Sequence, residues 1–184
     1  MLDTVRTTGR QETRLRVEPR AGRMVCMSRP AGTGPTGELR RATPEDVALI
    51  AAWHPMEPAG VLAWWEDDEV LPWVLEVDAG ACGYGELWLD PEEDEVELAR
   101  LIVPEELRGN GLGGLLTRLL TAEAATTGLT TTMLRTTPDN DVAIACYLAN
   151  GFTRLSPEEE AEWNAGQRRD WVWMLLGDVR PRTA

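Results

Sequence analysis

The chain has 184 residues, of which 43% are hydrophobic and 27% charged, and this size and composition suit one globular domain with a packed core. Its net charge of −13 argues against nucleic acid and anionic membranes as partners, because both are polyanions. No apolar run approaches the roughly 20 residues that cross a bilayer, and the first residues lack the apolar stretch of a secretory signal.

Cysteine and histidine are too sparse for a disulfide framework or a metal centre. Cys26, Cys82 and Cys146 are odd in number and far apart, which favours a reducing cytoplasm. His54 is the single histidine and no cluster has the spacing of metal ligands, so we expect no metal. All 18 basic residues are arginine, a bias typical of a GC-rich bacterial genome.

Composition divides the chain into a tail and a domain. Residues 1–37 are rich in Arg, Thr, Gly and Pro without apolar periodicity, which predicts a disordered N-terminal extension. We expect one domain over residues 38–178 and a C-terminal tail over 179–184. Within the domain, residues 42–95 carry fifteen acids and no arginine, a net charge of −15.

The first half of the domain predicts four strands and two helices. Thr43-Pro44-Glu45 is typical of a helix start, and we expect that helix to end at Trp53. The other predicted elements are a strand at 39–42, a helix at 59–66 and strands at 71–77, 81–89 and 95–103, with residues 78–80 as a hairpin turn.

The second half contains a leucine stripe at helical spacing. Five leucines recur at i, i+3, i+4, i+7 and i+8 from Leu112, and Gly128 closes the helix that they predict. The remaining predicted elements are a strand at 129–136, a helix at 139–150 and strands at 152–155 and 171–176. This order predicts an α/β fold with a central mixed sheet and helices on both faces.

A glycine-rich loop precedes the leucine-striped helix. A helix N-terminus offers free N–H groups and the positive end of the helix dipole, and glycines let a phosphate approach them. The glycines also spell the G-x-G-x-x-G of dinucleotide sites, but residues 104–108 separate them from the strand. The threonine-rich segment beyond the helix also carries no acid before Asp139, so the context contradicts that alternative. The loop consists of Arg108, Gly109, Asn110, Gly111, Leu112, Gly113 and Gly114.

Two motifs together resemble the GNAT acetyltransferase superfamily. Arg108-x-x-Gly111-x-Gly113 resembles its pyrophosphate loop, and Asn140–Phe152 resembles its second cofactor motif, N-x-x-A-x-x-x-Y-x-x-x-G-F. The clear resemblance covers residues 95–155, and the order of elements extends it to about 38–176. One departure is that Pro104 follows Val103 directly, where the family usually has Val-x-Pro.

The resemblance implies a mostly antiparallel mixed sheet and an enzyme that transfers the acetyl group of acetyl-CoA to a primary amine. It places the pyrophosphate on Arg108 and on the backbone of residues 109–114. It places the pantetheine arm beside Ile102 and Val103, in a gap between the fourth and fifth strands, with Asn140 bonding a pantetheine amide.

The resemblance also implies the catalytic residues. Glu97 occupies the position of the general base in some members, and Tyr147 that of the acid that protonates the leaving thiolate. The alternative bases are Glu86, Glu57, Asp90 and His54. Cys146 is compatible with an acyl-cysteine route or with a simple buried thiol.

The acceptor is predicted from charge. In the family's architecture the half that contains residues 42–95 borders the acceptor, so its acids predict a small cationic amine. Trp64 and Trp65, on the predicted helix 59–66, are candidates for a cation–π contact with it. The alternative function is a non-catalytic acyl-CoA sensor, and both a monomer and a homodimer are left open.

Overall fold

The computed structural model describes residues 34–54 and 56–177. The tails predicted at 1–37 and 179–184 therefore lie outside it, except for residues 34–37. Of these four, Gly37 lies against β2: a Cβ on Gly37 would lie 2.3 Å from the carbonyl oxygen of Glu76. The described chain thus begins before the first strand.

Seven strands of the described chain form one mixed sheet in the order β1-β2-β3-β4-β5-β7-β6. β4 and β5 are parallel, and the other neighbouring pairs are antiparallel, as predicted. The strands are β1 (Glu38–Arg41), β2 (Val70–Val77), β3 (Gly80–Asp90), β4 (Glu95–Ile102), β5 (Thr131–Thr136), β6 (Phe152–Arg154) and β7 (Val172–Leu176).

Helices cover both faces of this sheet. They are α1 (Val47–Trp53), α2 (Pro58–Ala63), α3 (Leu112–Ala124), α4 (Asp141–Ala149) and α5 (Pro157–Trp163). Short 3₁₀ turns at Pro44–Asp46 and Glu105–Leu107 precede α1 and the glycine-rich loop. No helix of the described chain is long and apolar enough to span a bilayer.

Alternating side chains of the strands separate two layers of core. On one face, Leu116 and Leu120 of α3 pack with Leu87 and Leu98 of the sheet. On the other face, α1 and α2 pack over β2–β4, and Trp163 of α5 packs over β5–β7. A depression between these last two groups faces the middle of the sheet.

Two predictions of helices were wrong. The second helix ends at Ala63 instead of residue 66, because the chain turns there and Trp65 donates its indole N–H to the Tyr84 hydroxyl at 2.7 Å. Helix α5 was not predicted, although Ser156 and Glu159 form a capping box at its start. The remaining predicted elements are present. The predicted start of the first helix at Pro44 is a 3₁₀ turn that leads into α1 at Val47, and α3 ends at Ala124, before the predicted stop at Gly128. The ends of the other elements differ by one or two residues.

Candidate active site

Strands β4 and β5 separate along their length. Their pairing runs from Glu95 opposite Thr131 to Leu98 opposite Leu134 and then stops. Beyond that point β4 continues to Ile102 paired with β3, and β5 continues to Thr136 paired with β7. The gap that the resemblance implies between these strands is therefore present in the described chain.

The glycine-rich loop stands at the start of α3, directly after β4. Gly109 and Gly111 have φ of 76° and 78°, left-handed values that favour glycine, and Gly111 is the N-cap of α3. A Cβ on Gly109 would meet nothing within 4 Å, whereas one on Gly111 would lie 3.1 Å from Cδ of Pro35. The open backbone at a helix N-terminus fits a pyrophosphate.

Side chains of the loop brace its backbone. Arg108 donates from Nε to the Val103 carbonyl at 3.0 Å, and Asn110 donates from Nδ2 to the carbonyls of Leu107 and Arg108. Arg108 itself is exposed. The segment that leads into α3 is therefore held by its own side chains, and its arginine is reached by solvent.

The last two glycines of the loop also serve helix packing. A Cβ on Gly113 would lie 3.8 Å from Sγ of Cys146, and one on Gly114 would lie 3.4 Å from Nδ2 of Asn150. Both partners belong to α4 or its end, so glycine at these positions lets α3 and α4 approach closely. Leu112 is buried in the core and offers only its backbone to a ligand.

Asn140 caps α4 and joins it to the end of β5 with its side chain. Its Oδ1 accepts from the Ala143 N–H and its Nδ2 donates to Thr136 Oγ1, both at 3.2 Å. Asn140 is exposed and lies at the end of β5, beside the gap. This capping role was not predicted.

Tyr147 is the buried residue of α4. Only 9% of its surface is exposed, its ring lies edge-on to Phe152 with centroids 6.2 Å apart, and burial raises the pKa of its hydroxyl to about 12. No hydrogen bond to its hydroxyl is formed within the described chain. The side chain is thus a protonated phenol that stands in the core without a backbone partner.

A cavity of about 710 Å³ opens on the face of the sheet opposite α3, between the turn that precedes β2 and the end of α5. Acids outnumber bases in its lining by six to one, and three indoles complete the polar and aromatic part of its wall. These residues are Asp67, Glu69, Asp90, Glu95, Glu97, Glu162, Arg100, Trp88, Trp163 and Trp173.

Glu97 lines this cavity from the middle of β4. Its carboxylate lies 3.1 Å from Nε of Arg135, and its side chain is 15% exposed. Burial raises its pKa to about 7 in spite of the nearby charges of Arg135 and Arg100. A carboxyl group that titrates near neutrality is suited to proton transfer at working pH.

The alternative bases occupy different surroundings. Glu86 is fully buried and engaged by neighbouring donors, and Glu57 is exposed before α2. Asp90 lies at the exposed mouth of the cavity. His54 lies edge-on to Trp64, with its ring centroid 5.7 Å away. Of these acids and the histidine, Glu97 alone combines burial with a place in the cavity.

Within the described chain no group of three or more His, Cys, Asp or Glu side chains is placed to hold a metal ion.

Trp64 and Trp65, the candidates for contact with the acceptor, lie beside Tyr84. The Trp64 ring is stacked 6.3 Å from the Tyr84 ring and lies 4.3 Å from the Arg100 guanidinium carbon. Their main contacts are therefore internal.

Comparison with known proteins agrees with this architecture. The model of the acetyltransferase (GNAT) family matches residues 38–152, which is more than half of the chain. The chain belongs to this family, whose members transfer acyl groups from acyl-CoA to amines. No curated protein sequence matches the chain as a relative.

Solved structures with the same fold are distant in sequence. A chimera of the spermidine N-acetyltransferase SpeG from Vibrio cholerae and hSSAT has a TM-score of 0.64 and 18% identity, covering 76% of this chain and 94% of that one. The ribosomal-protein-S18-alanine N-acetyltransferase from Escherichia coli has a TM-score of 0.61 and 17% identity, covering 81% and 99%. Aminoglycoside acetyltransferase AAC(6')-Ib, in complex with coenzyme A and kanamycin, has a TM-score of 0.59 and 18% identity, covering 77% and 95%.

Proposed function

We propose that the protein transfers the acetyl group of acetyl-CoA to a primary amine of a small cationic acceptor. The observation that carries this proposal is the position of Glu97. Its buried carboxyl group lines a cavity on β4, upstream of the point where β4 and β5 separate. In this proposal Glu97 is the base. It lies between the cavity, which receives the acceptor amine, and the gap between β4 and β5, which receives the thioester.

In the proposed reaction the amine nitrogen attacks the thioester carbonyl, a C–N bond forms and the C–S bond breaks. Alkyl ammonium groups titrate near ~10, so the amine must first lose a proton, and Glu97 accepts it. A backbone N–H of β4 near Val103 stabilises the developing oxyanion, since Pro104 has none to donate. Tyr147 then gives its phenol proton to the leaving thiolate, and the second proton that the attacking nitrogen loses as the amide forms restores the phenol. The proton held by Glu97 leaves to solvent.

Acetyl-CoA is held by the loop and the gap in this proposal. Arg108 and the backbone of residues 109–114 contact the pyrophosphate, and Ile102 and Val103 pair with the pantetheine arm. Asn140 fixes the start of α4 beside that arm and contacts its amide. The open space around Gly109 and the exposure of Arg108 support this arrangement.

The charge of the cavity supports a cationic acceptor. Its six acids face one arginine, and Arg100 is already paired with Glu86. Acids in a concave, partly desolvated surface raise the local concentration of cations. The indole of Trp163 adds a face that attracts ammonium groups, whereas the Trp88 ring already contacts the Arg100 guanidinium. A polyamine, an amino-sugar or a cationic peptide end fits this wall better than a neutral arylamine.

Cys82 and Cys146 are free thiols, which supports a reducing compartment such as the cytoplasm. The burial of Cys146 raises the pKa of its thiol and so disfavours its use as a nucleophile. Direct transfer to the amine, without an acyl-cysteine, is therefore the proposed route.

An acetylation assay tests this function directly. Purified protein is incubated with acetyl-CoA and a panel of polyamines, amino-sugars, peptides and arylamines, and the release of CoA is followed. Turnover with cationic acceptors is expected. Binding of acetyl-CoA without turnover of any amine would favour the alternative, a non-catalytic sensor.

A further inference from the structure

Glu86 is a fully buried carboxylate that the proposed reaction does not use. It is 0% exposed and accepts hydrogen bonds from the Tyr84 hydroxyl at 2.5 Å, from the Trp88 indole at 2.6 Å and from the Arg100 guanidinium. A buried ionised carboxylate is stable only when it is paired and hydrogen-bonded in this way. The Glu86 carboxylate therefore holds the side chains of Tyr84, Trp88 and Arg100 in place.

Arg100 is held on its other sides by two indoles. Its guanidinium carbon lies 4.3 Å from the ring centroid of Trp64 and 4.7 Å from that of Trp88. We call this set of four residues, Glu86, Arg100, Trp64 and Trp88, the arginine clamp. The planar guanidinium suits both a carboxylate and aromatic faces, and lysine cannot reproduce this arrangement.

The backbone of Arg100 has an unusual conformation. Its φ is 47°, a left-handed value that non-glycine residues adopt rarely and at a cost. The register of β3 against β4 shifts at this point, because Glu86 faces Ala99 while Tyr84 faces Ile102. Arg100 therefore forms a β-bulge, which bends a strand and redirects the residues that follow it.

The bulge lies where the proposed thioester gap begins. Pairing between β4 and β5 ends at Leu98, two residues before Arg100, and Ile102 follows two residues after it. The bulge thus sets the direction of the strand segment whose backbone is proposed to contact the pantetheine arm and the oxyanion. Without it, β4 would continue in register with β3.

We propose that Arg100, locked by Glu86, is a positioning residue for acetyl transfer. The clamp holds the β4 bulge in the backbone conformation that keeps the gap open and aims residues 101–103 at the thioester. This inference rests on the proposed function, and it assigns Arg100 a role in alignment instead of acceptor binding, although its side chain also lines the cavity.

The substitution Arg100→Gly removes the side-chain contacts of the clamp without adding strain to the backbone. Glycine adopts positive φ freely, so the variant keeps access to the bulge but loses the side chain that fixes it. Misalignment of reacting groups by about 1 Å can cost roughly 10²-fold in rate, so we expect kcat to fall by about that factor. The affinity for acetyl-CoA, measured by calorimetry, should change little because the loop at 108–114 is intact.

A second readout does not depend on activity. Amide hydrogen exchange in the free protein reports the opening of local structure, and we expect faster exchange at residues 101–103 in Arg100→Gly. Glu86→Gln should act in the same direction. If the two residues act as one unit, the double variant should lose little more rate than either single variant.

Arg40→Gly is the matched control. Arg40 also pairs with two acids, the buried Asp46 at 2.7 Å and the half-buried Glu76 at 2.7 Å, but it lies on the edge strand β1. Its loss should leave kcat and exchange at residues 101–103 unchanged.

Unchanged kcat and exchange in a folded Arg100→Gly variant would overturn the proposal, as would a loss confined to the KM of the acceptor. A wild-type protein that acetylates no amine would remove the proposed function instead, while the exchange measurement would still test the clamp.

Discussion

The Nε atom of Arg135 lies 3.1 Å from Oε1 of Glu97, and the same guanidinium lies against the rings of Trp173 and Trp171, at 4.9 and 5.3 Å from their centroids. The arginine favours the ionised form of Glu97, but burial favours the neutral form and raises the pKa to about 7. The indoles fix the arginine, so the carboxyl group keeps one orientation toward the cavity.

The first prediction concerns the pH dependence of this base. Glu97 with a pKa of about 7 must be ionised to accept a proton, so kcat should rise as pH increases through about 7. In Glu97→Gln the rise should disappear and kcat should be lower, by roughly 10²-fold or more. Steady-state rates from about pH 5 to pH 9 measure this. Glu92→Gln, in the exposed turn after β3, is the control, and an identical profile for Glu97→Gln would assign the base elsewhere.

The same pKa predicts an effect on stability. The folded-state pKa of about 7 exceeds the ordinary value of 4.5, so the folded state binds this proton more tightly than the unfolded state. The stability gained from that proton is complete below the unfolded value and is lost as pH rises through about 7. Thermal unfolding should therefore show wild type losing Tm relative to Glu97→Gln between about pH 5 and pH 8. A constant difference would contradict the raised pKa.

The second prediction separates chemistry from binding at Tyr147. Its pKa of about 12 keeps the phenol protonated and able to protonate a leaving thiolate. Tyr147→Phe removes that proton with little loss of volume, so kcat should fall by roughly 10²-fold while acetyl-CoA affinity stays close to that of wild type. Cys146→Ala, at the neighbouring position, should keep its turnover. Full activity in Tyr147→Phe would remove this residue from the mechanism, and inactivity in Cys146→Ala would revive the acyl-cysteine route.

The third prediction concerns the loop. A ligand that binds the folded state alone raises Tm by mass action, so millimolar acetyl-CoA should raise it and NADH should not. Gly111→Val should abolish the rise, because a β-branched residue is strained at a φ of 78° and its Cβ would press against Pro35. Gly128→Val, at a φ of 84° with no neighbour within 4 Å of a Cβ, controls for the strain. An equal shift with NADH would contradict the predicted ligand.

The sequence predicted those parts of the site that depend on neighbours in the chain. The glycine-rich loop and the motif around Tyr147 each occupy one short segment, so their resemblance to the family is visible in the sequence, and the roles that it implies stay predictions. The pairing of Glu86 with Arg100 joins two strands beside a bulge, and no local sequence pattern indicates this pairing. From the sequence, Glu86 was therefore considered only as an alternative base.

Helix α5 shows a different reason for a missed element. Its seven residues form too short a stretch for apolar periodicity to be visible. The signals that remain are those of a helix start: the capping box at Ser156, proline at the first helical position and acids in the first turn. As a result, the acids near the acceptor were predicted from residues 42–95 alone. The lining of the cavity also includes Glu162 and Trp163 of α5.

The last prediction concerns the acceptor. The cavity acids attract cations through solvent, and such attraction is screened over ~10 Å at ~0.1 M salt. The KM for a polyamine or amino-sugar should therefore rise with ionic strength, whereas the KM for an arylamine, neutral at assay pH, should not. Glu162→Gln should raise the KM of the cationic acceptor and flatten its salt dependence, because Glu162 lines the cavity. Glu92→Gln carries the same change in net charge on an exposed turn outside the lining, so it should leave both unchanged. If the best acceptor in the panel were neutral or anionic and insensitive to salt, the acids would serve solubility and the proposed acceptor class would be wrong.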